Sequence, residues 1–525
     1  MIKKSLKPLA LCQGAFLLSV FSGASYLLGM MRDLMLGHFF GAGQETDAFM
    51  TAFLIPDFIF NFFMAGGLAV VLMPLFVEQE EKSRKDLDNF INAFFGFLGV
   101  FALILCGVAF FATPYIIYNL FEIQNSAQEI MTINMSRILL LSPIFFGISN
   151  SMGAFLISKK HYFSFAVSPF LYNAGIIGGI FFLHDYFGIY SAILGATFGM
   201  VLHAGIRFFD FYVNGYRVCP KIDLQNQALR KLFRLALPRT VTLACLQLIL
   251  WVFNYIGYLL EDGSVSAFNF ARNIQSFAVS IFGIAFANAV FPFLAEHASK
   301  KQPEKFISRL EKSFREILFL TMPSFVGLFV LSSLLIDVLF RHGQFDDRAL
   351  VLTNSVLIFI AISIPTESLT HLFARAFLSF KNTLYPMIGK LIFLGVGSGY
   401  AFKFYETQGI SSLGIGFFTG SVAEFLFLVV FLHFSLIHLP IGKLVLTLIR
   451  TGLIAFIMGF CVMWIRDSLY ISKYLLLAIS VLSGVLIYFG LGFLLRVPEA
   501  KTLYIYLKNR IKGKLDLSHC WFWRC

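Results

Sequence analysis

The chain has 525 residues, of which 58% are hydrophobic and only 13% charged, with a formal net charge of +12. Soluble domains carry about 25% charged and about 45–50% apolar residues, so an ordinary soluble protein is excluded. Apolar runs of about 18 residues or more recur from end to end, each long enough to cross about 30 Å of hydrocarbon. Runs as continuous as 475–495 also exclude a β-barrel, whose strands alternate over about ten residues.

Hydropathy and turn signals predict an all-α polytopic membrane protein with fourteen transmembrane helices. In chain order they fall near 9–31, 47–76, 88–117, 128–157, 162–183, 188–212 and 229–260, then 265–295, 314–340, 348–379, 384–404, 410–437, 444–465 and 474–496. Several exceed the roughly 20 residues a crossing needs and must tilt, kink or protrude. Pro56, Pro143, Pro169, Pro238 and Pro365 offer kink points. The N-terminus is basic and then apolar with no small-residue cleavage site after it, which reads as a retained first helix.

The connections test this count. Alternate connections place 28 of the 41 Lys and Arg residues on one side and 6 on the other, with seven inside or at the ends of helices. By the positive-inside rule both termini are expected in the cytoplasm, and the net charge needs no nucleic-acid partner. No external connection exceeds about 15 residues, too short for a catalytic domain. The seven cysteines form no CxxC pair and no metal spacing, and five read as small hydrophobes in or beside apolar helices. The tail from Cys520 to Cys525 reads as an interfacial aromatic anchor.

The chain resembles itself. Ala48-Phe49 opens a stretch ending Met73-Pro74-Leu75-Phe76-Val77-Glu78, and Ala267-Phe268 opens another ending Phe291-Pro292-Phe293-Leu294-Ala295-Glu296. Pro143 and Ala154-Phe155-Leu156 recur as Pro365 and Ala376-Phe377-Leu378. Transporters are often built from such repeats. The reading is an N-lobe of six helices (1–217), a parallel C-lobe of six (218–438), two additional helices (439–497) and a basic cytoplasmic tail (498–525). Two such lobes suit alternating access. Gly389-Lys390 and Gly442-Lys443 lack the Ser/Thr of a phosphate loop, no HExxH occurs, and Gly395 to Gly399 reads as close helix packing.

Ionisable residues at membrane depth face a cavity or a partner. In the first half these are Arg32 and Asp33 at the outer end of the first helix, Asp47, Asp57 and Arg137; Arg272 opens the second half, with Glu367, Arg375, Lys390 and Glu424 beyond it. Arg32–Asp33 reads either as a cavity group or as a snorkelling interfacial pair, and Arg272 as cavity-lining or structurally paired. For Arg137, Glu367, Lys390 and Glu424, pairing inside a lobe stands beside substrate contact. Arginine's planar fork matches phosphate oxygens, so cations on a cavity suit an anionic, phosphorylated substrate. A lipid-tailed one needs a lateral groove, which the last two helices could form.

The run Ser25-Tyr-Leu-Leu-Gly29-Met-Met-Arg32-Asp33, then Phe40-Gly-Ala-Gly43, Thr46-Asp47-Ala-Phe49 and Pro56, resembles the opening of the MurJ/MviN family. Those proteins are lipid II flippases of peptidoglycan synthesis, in the MOP superfamily that also holds the MATE exporters and polysaccharide flippases. Gly263-Ser264-Val265-Ser266 and Gly283 to Pro292 extend the likeness. The resemblance implies fourteen helices as two six-helix lobes plus two C-terminal helices, in the bacterial inner membrane with cytoplasmic termini. It implies a transporter rather than an enzyme, with no catalytic residue, metal or cofactor, driven by membrane potential or an ion gradient. Its substrate is a lipid-linked undecaprenyl-diphosphate muropeptide, and its surroundings are membrane lipids and the cell wall synthesis machinery. Arg32, Asp33 and Asp47 are implied to line the cavity; in the eighth helix Asn273 stands where the family's arginine falls on a gapless reading, with Arg272 one place earlier, a shift that turns a helical side chain by about 100°. The chain departs from the family pattern at Tyr26, Phe60-Asn61 and Ala65-Gly66, where arginine, a basic pair and Glu-Gly are usual. Flipping of another polyprenyl-diphosphate glycan, or MATE-like cation export through Asp47 and Asp57, are the alternatives.

Overall fold

The computed structural model describes residues 11–65 and 68–501, and every regular element among them is helical. The expectations for residues 1–10, Gly66 and the tail from 502, with Cys520 and Cys525, lie outside the described residues. Two compact units emerge, Met1–Ser266 with His342–Asp346, and Ala267–Arg341 with Asp347–Cys525.

In the first unit, Leu11–Phe40 (α1) is followed by Gln44–Ala52 (α2) and Leu54–Ile59 (α3), a π-helical stretch Phe60–Ala65, and Leu68–Lys82 (α4). Then come Arg84–Leu120 (α5), Ser126–Leu139 (α6), Leu141–Ser158 (α7), Phe163–Phe187 (α8), Tyr190–Val213 (α9) and Gln227–Tyr258 (α10). Ser264–Ala278 (α11) begins in this unit and runs into the second. There it continues through a π-helical stretch Val279–Ile284 into Ala285–Ser299 (α12), then Pro303–Leu339 (α13), Asp347–Ile362 (α14) and Ile364–Ser379 (α15). Leu384–Phe393 (α16), a π-helical stretch Leu394–Ser398, Gly399–Gln408 (α17), Ser411–Ser435 (α18), Ile441–Ser468 (α19) and Lys473–Leu494 (α20) complete it.

Each of the fourteen expected spans coincides with one helix or one run of helices. Nine among the described residues are long and apolar enough to cross a membrane, or ten if the bent pair α14–α15 is one span. The helices outrun the hydropathy: α5 and α13 have 37 residues each, about 55 Å at 1.5 Å per residue, well beyond the hydrocarbon. The first helix also runs on to Phe40, so Arg32 and Asp33 sit two turns inside it and not at its outer end. A charged pair ends a hydropathic run without ending a hydrogen-bonded backbone.

Three of the five prolines coincide with breaks. A proline ring displaces the carbonyl four residues earlier; for Pro56, Pro143 and Pro365 those residues are Ala52, Leu139 and Ala361, and the helices stop at Ala52, Leu139 and Ile362. The α14–α15 bend is 46°. Pro169 and Pro238 lie within the unbroken helices α8 and α10. Side-chain caps open α5, α6 and α10: Ser83 accepts from Asp86 N, Asn125 from Ala127 N, and Asn226 from Ala228 N and Leu229 N.

The duplication is visible in local geometry. Residues 163–187 form α8, and 384–408, 221 positions later, form α16 to α17. Each ends at a glycine of nearly the same backbone geometry, Gly188 (φ 52, ψ −137) and Gly409 (φ 56, ψ −141). Before each copy the chain reverses on a lysine of positive φ, Lys160 and Lys381. Lys301 and Arg496 complete a set of four such basic residues, with φ between 51° and 63°. In each, the next residue's N–H reaches back five positions to close the helix end: His161 to Leu156 O, Gln302 to His297 O, Asn382 to Phe377 O and Val497 to Gly492 O. This is the closure that usually takes glycine; here a cation beside the last carbonyls meets the negative end of the helix dipole.

The first compact unit extends to Ser266. The reason is α10, which packs on α3, α4 and α5. Trp251 Nε1 donates to Leu54 O at 3.3 Å, and Lys231 pairs with Glu78 at 2.7 Å. In the second unit α19 and α20 pack on α13, around a core including Leu318, Phe319, Met458 and Tyr488.

Glycines bring α8 and α9 to backbone contact, as small residues do where lipid gives helices no hydrophobic reason to associate. A Cβ on Gly179 would lie 2.5 Å from Gly195 Cα and from Ser191 O, whereas one on Gly178 would meet nothing within 4 Å. Gly179→Val is therefore expected to lower the melting temperature of the purified protein sharply while Gly178→Val leaves it nearly unchanged; equal effects would mean that helix propensity, not packing, sets the cost.

Candidate functional site

Arg32 and Asp33 are neighbours on α1, and the guanidinium folds back so that Nε (2.9 Å) and Nη2 (2.7 Å) both donate to Asp33 Oδ1. Asp33 is 3% exposed, whereas the Arg32 side chain keeps 24% of its surface. The other guanidinium nitrogen makes no hydrogen bond among the described residues. Asp57 and Tyr172 lie within electrostatic range of Arg32. Asn173, on α8, donates to Ser25 O and Oγ at 3.3 Å and ties α8 to α1 two turns before the pair. The result is a partly open cation on a polar patch of the first unit, able to present donors to an anionic oxygen.

Asp47 is engaged differently. Its Oδ2 accepts from Gly263 N and its Oδ1 from Ser266 N, both at 2.7 Å, and it is 2% exposed. Both oxygens thus cap the first turn of α11. Gly263 has φ +89, and a Cβ there would lie 2.3 Å from Ala42 O, so this turn requires glycine. Around it Gln44 donates to Asp262 Oδ2 and accepts from Asn125 Nδ2, both at 2.8 Å, and Tyr258 donates to Thr51 Oγ1 at 2.9 Å. The first unit therefore gathers Arg32 with Asp33, and separately binds Asp47 to the 263–266 turn. Arg272 and Asn273 lie in the second unit, half-buried on α11.

One polar network escaped the sequence reading, and of a second only the charged members were legible. On α9, His203, Arg207 and Asp210 share one buried face: His203 Nδ1 meets Ser149 Oγ at 3.0 Å, Arg207 donates to Ser168 Oγ at 2.8 Å and to Asn150, and Ser164 donates to Asp210. Arg207 is 1% exposed and lies against the Phe165 ring. The signal was present as helical spacing of polar residues on α9, with Ser164 and Ser168 one turn apart on α8. In the second unit Gln275 Nε2 donates to Glu367 Oε2 at 2.6 Å and Ser363 Oγ at 3.2 Å, while Lys390 pairs with Glu424 at 2.8 Å. Lys390 and Glu424 thus pair inside one unit, one of the two readings the sequence left open.

The sequence model of the family described as "Lipid II flippase MurJ" matches residues 36–483. The chain belongs to the MurJ family. A probable lipid II flippase MurJ of Bdellovibrio bacteriovorus is 26% identical over 513 residues, spanning 94% of this chain and 96% of that protein. Its counterpart in Aquifex aeolicus is 26% identical over 438 residues, spanning 82% and 84%. A solved lipid II flippase MurJ in an inward closed conformation superposes with a TM-score of 0.78 at 23% identity, covering 90% of this chain and 97% of that one. A MATE-family multidrug transporter of the MOP superfamily, inward-facing, gives 0.65 at 16% identity, covering 82% and 95%. These likenesses establish the fold. Membership of the MurJ family makes the chain a multi-pass protein of the bacterial inner membrane and a transporter, not an enzyme.

Proposed function

We propose that this protein moves lipid II, the lipid-linked peptidoglycan precursor, from the cytoplasmic to the outer leaflet by alternating access, for cell wall synthesis. The observation that carries the reading is the family match across 36–483. Supporting it is the partly open Arg32 guanidinium at membrane depth, a group suited to diphosphate oxygens. Arg32 and Asp33 are the substrate contacts of the first unit in this reading, Asp47 holds the turn that begins α11, and Arg272 and Asn273 are the contacts on that helix. Membrane potential or an ion gradient drives the cycle, both termini face the cytoplasm, and the cell wall synthesis machinery receives the product.

The test is replacement of an essential lipid II flippase by this chain, with outer-leaflet lipid II followed by an accessibility assay beside efflux of a simple organic cation. Growth with lipid II exposed outside is expected; cation efflux without movement of lipid II would place the chain among the exporters. Arg32→Ala is expected to abolish growth at normal expression, and Arg32→Lys to rescue poorly because the fork is lost. Free substitution by lysine would make Arg32 an interfacial anchor. Tyr26, Phe60 and Asn61, where the family pattern is basic, favour one second reading, a different polyprenyl-diphosphate glycan. Outer-leaflet appearance of such a glycan without lipid II would establish it.

A further inference from the structure

Arg137 takes no part in the functional reading above, and its surroundings are unusual for a cation. It lies on α6 eleven residues after Ser126, about 16 Å along the helix, beside Phe110 on α5, ten residues before that helix ends. Its Nε donates to Phe110 O at 3.2 Å, and its guanidinium stacks over the Phe110 ring at 4.6 Å. Among the described residues no carboxylate lies within ion-pair distance of it. It lines a lateral cavity of about 480 Å³ whose other walls include Leu103, Cys106, Gly107, Phe110 and Leu141. Leu103 and Leu141 are themselves exposed on this flank, as are Phe111, Tyr115 and Tyr118. Tyr115 and Tyr118 are one to two turns nearer the helix end than Phe110, where aromatic rings mark the water interface of a membrane.

The groove therefore combines an apolar trough open to lipid with one cation, just below the interfacial tyrosines, whose remaining donors have no acceptor among the described residues. A cation held at that depth calls for an anion, and the apolar walls call for a chain attached to it. We propose that this groove between α5 and the α6–α7 junction binds an anionic phospholipid of the surrounding leaflet, the outer one on the orientation given by the charge split. Its phosphate accepts from the Arg137 guanidinium, and one acyl chain lies along Leu103, Gly107 and Leu141. The lipid supplies the missing counter-charge and fills the trough.

The experiment uses the full chain in phosphatidylcholine vesicles containing a minor fraction of phosphatidylglycerol with a photoactivatable group on one acyl chain. Irradiation is expected to label peptides containing 103–110 and 137–141, and Arg137→Gln to reduce that labelling about tenfold, the scale of losing a charge-assisted hydrogen bond. Arg137→Lys should keep most of it. Leu103→Trp, which fills the trough about two turns along α5 from the Phe110 ring under the guanidinium, should also reduce it, and a thermal melt of each variant separates loss of site from loss of fold. Equal labelling of Arg137→Gln and the parent would overturn the proposal, as would equal labelling by photoactivatable phosphatidylcholine. Displacement by undecaprenyl diphosphate but not by unlabelled phosphatidylglycerol would overturn it too, assigning the groove to the substrate's own lipid.

Discussion

Glu424→Leu is expected to destabilise the purified protein by about 3 kcal/mol or more, and adding Lys390→Met is expected to restore most of that loss. Lys390 Nζ lies 2.8 Å from Glu424 Oε2, with only 17% and 4% of the side chains exposed. Removing one member of a buried pair leaves a charge with no counter-charge, which typically costs about 3–5 kcal/mol, whereas replacing both by apolar groups of similar volume is often near neutral. The backbone leaves no room for a detour: a Cβ on Gly389 would already lie 3.3 Å from Glu424 Cγ. Thermal melts in one detergent, for both single variants and the double, measure the coupling as a cycle. A Glu424→Leu variant melting like the parent would mean that Lys390 reaches water by extending along its stem.

The second large effect is at Asp47. Asp47→Ala leaves the N–H groups of Gly263 and Ser266 buried without acceptors, an expected loss of about 2–4 kcal/mol for a cap serving two donors. Asp47→Asn should recover only part of it, since one carbonyl can replace one oxygen while the amide NH₂ faces a second donor. Hydrogen exchange locates the damage: amides 263–268 should exchange much faster in Asp47→Ala and stay protected in Arg32→Ala. Faster exchange in both variants would mean that Arg32 supports the turn as well. Transport should fail in both, for different reasons, the first through α11 and the second through loss of a cation.

Much of the fold was legible because hydropathy and backbone continuity mostly agree along this chain. They part where a charge sits inside a helix, which is why Arg32 and Asp33 read as a helix end when α1 continues to Phe40. Proline positions gave three breaks because the ring's clash is local. The grouping of α10 with the first unit was illegible: Trp251 and Lys231 find partners 197 and 153 residues away, and no periodicity carries that. The site divides the same way. Arg32 and Asp33 are adjacent, so their pairing could be suspected, but the donors that claim Asp47 lie 216 and 219 residues on. Glu367 was legible as a charge at membrane depth, whereas Gln275, the neutral side chain whose amide holds it, was not.

The four helix ends that close on Lys160, Lys301, Lys381 and Arg496 carry two instructions in one residue. A β-carbon at positive φ is a standing local cost that glycine would remove, so folded-state stability alone favours glycine at each. In the topology proposed above, the same side chains belong to the basic connections that hold the chain's orientation while it is being inserted, when no tertiary packing exists to correct an error. Lys381→Gly would thus be ranked as an improvement by a screen for heat resistance and as a defect by a screen for faithful insertion. These positions belong to biogenesis as much as to architecture, and engineering the protein for durability would draw first on its margin for entering the membrane the right way round.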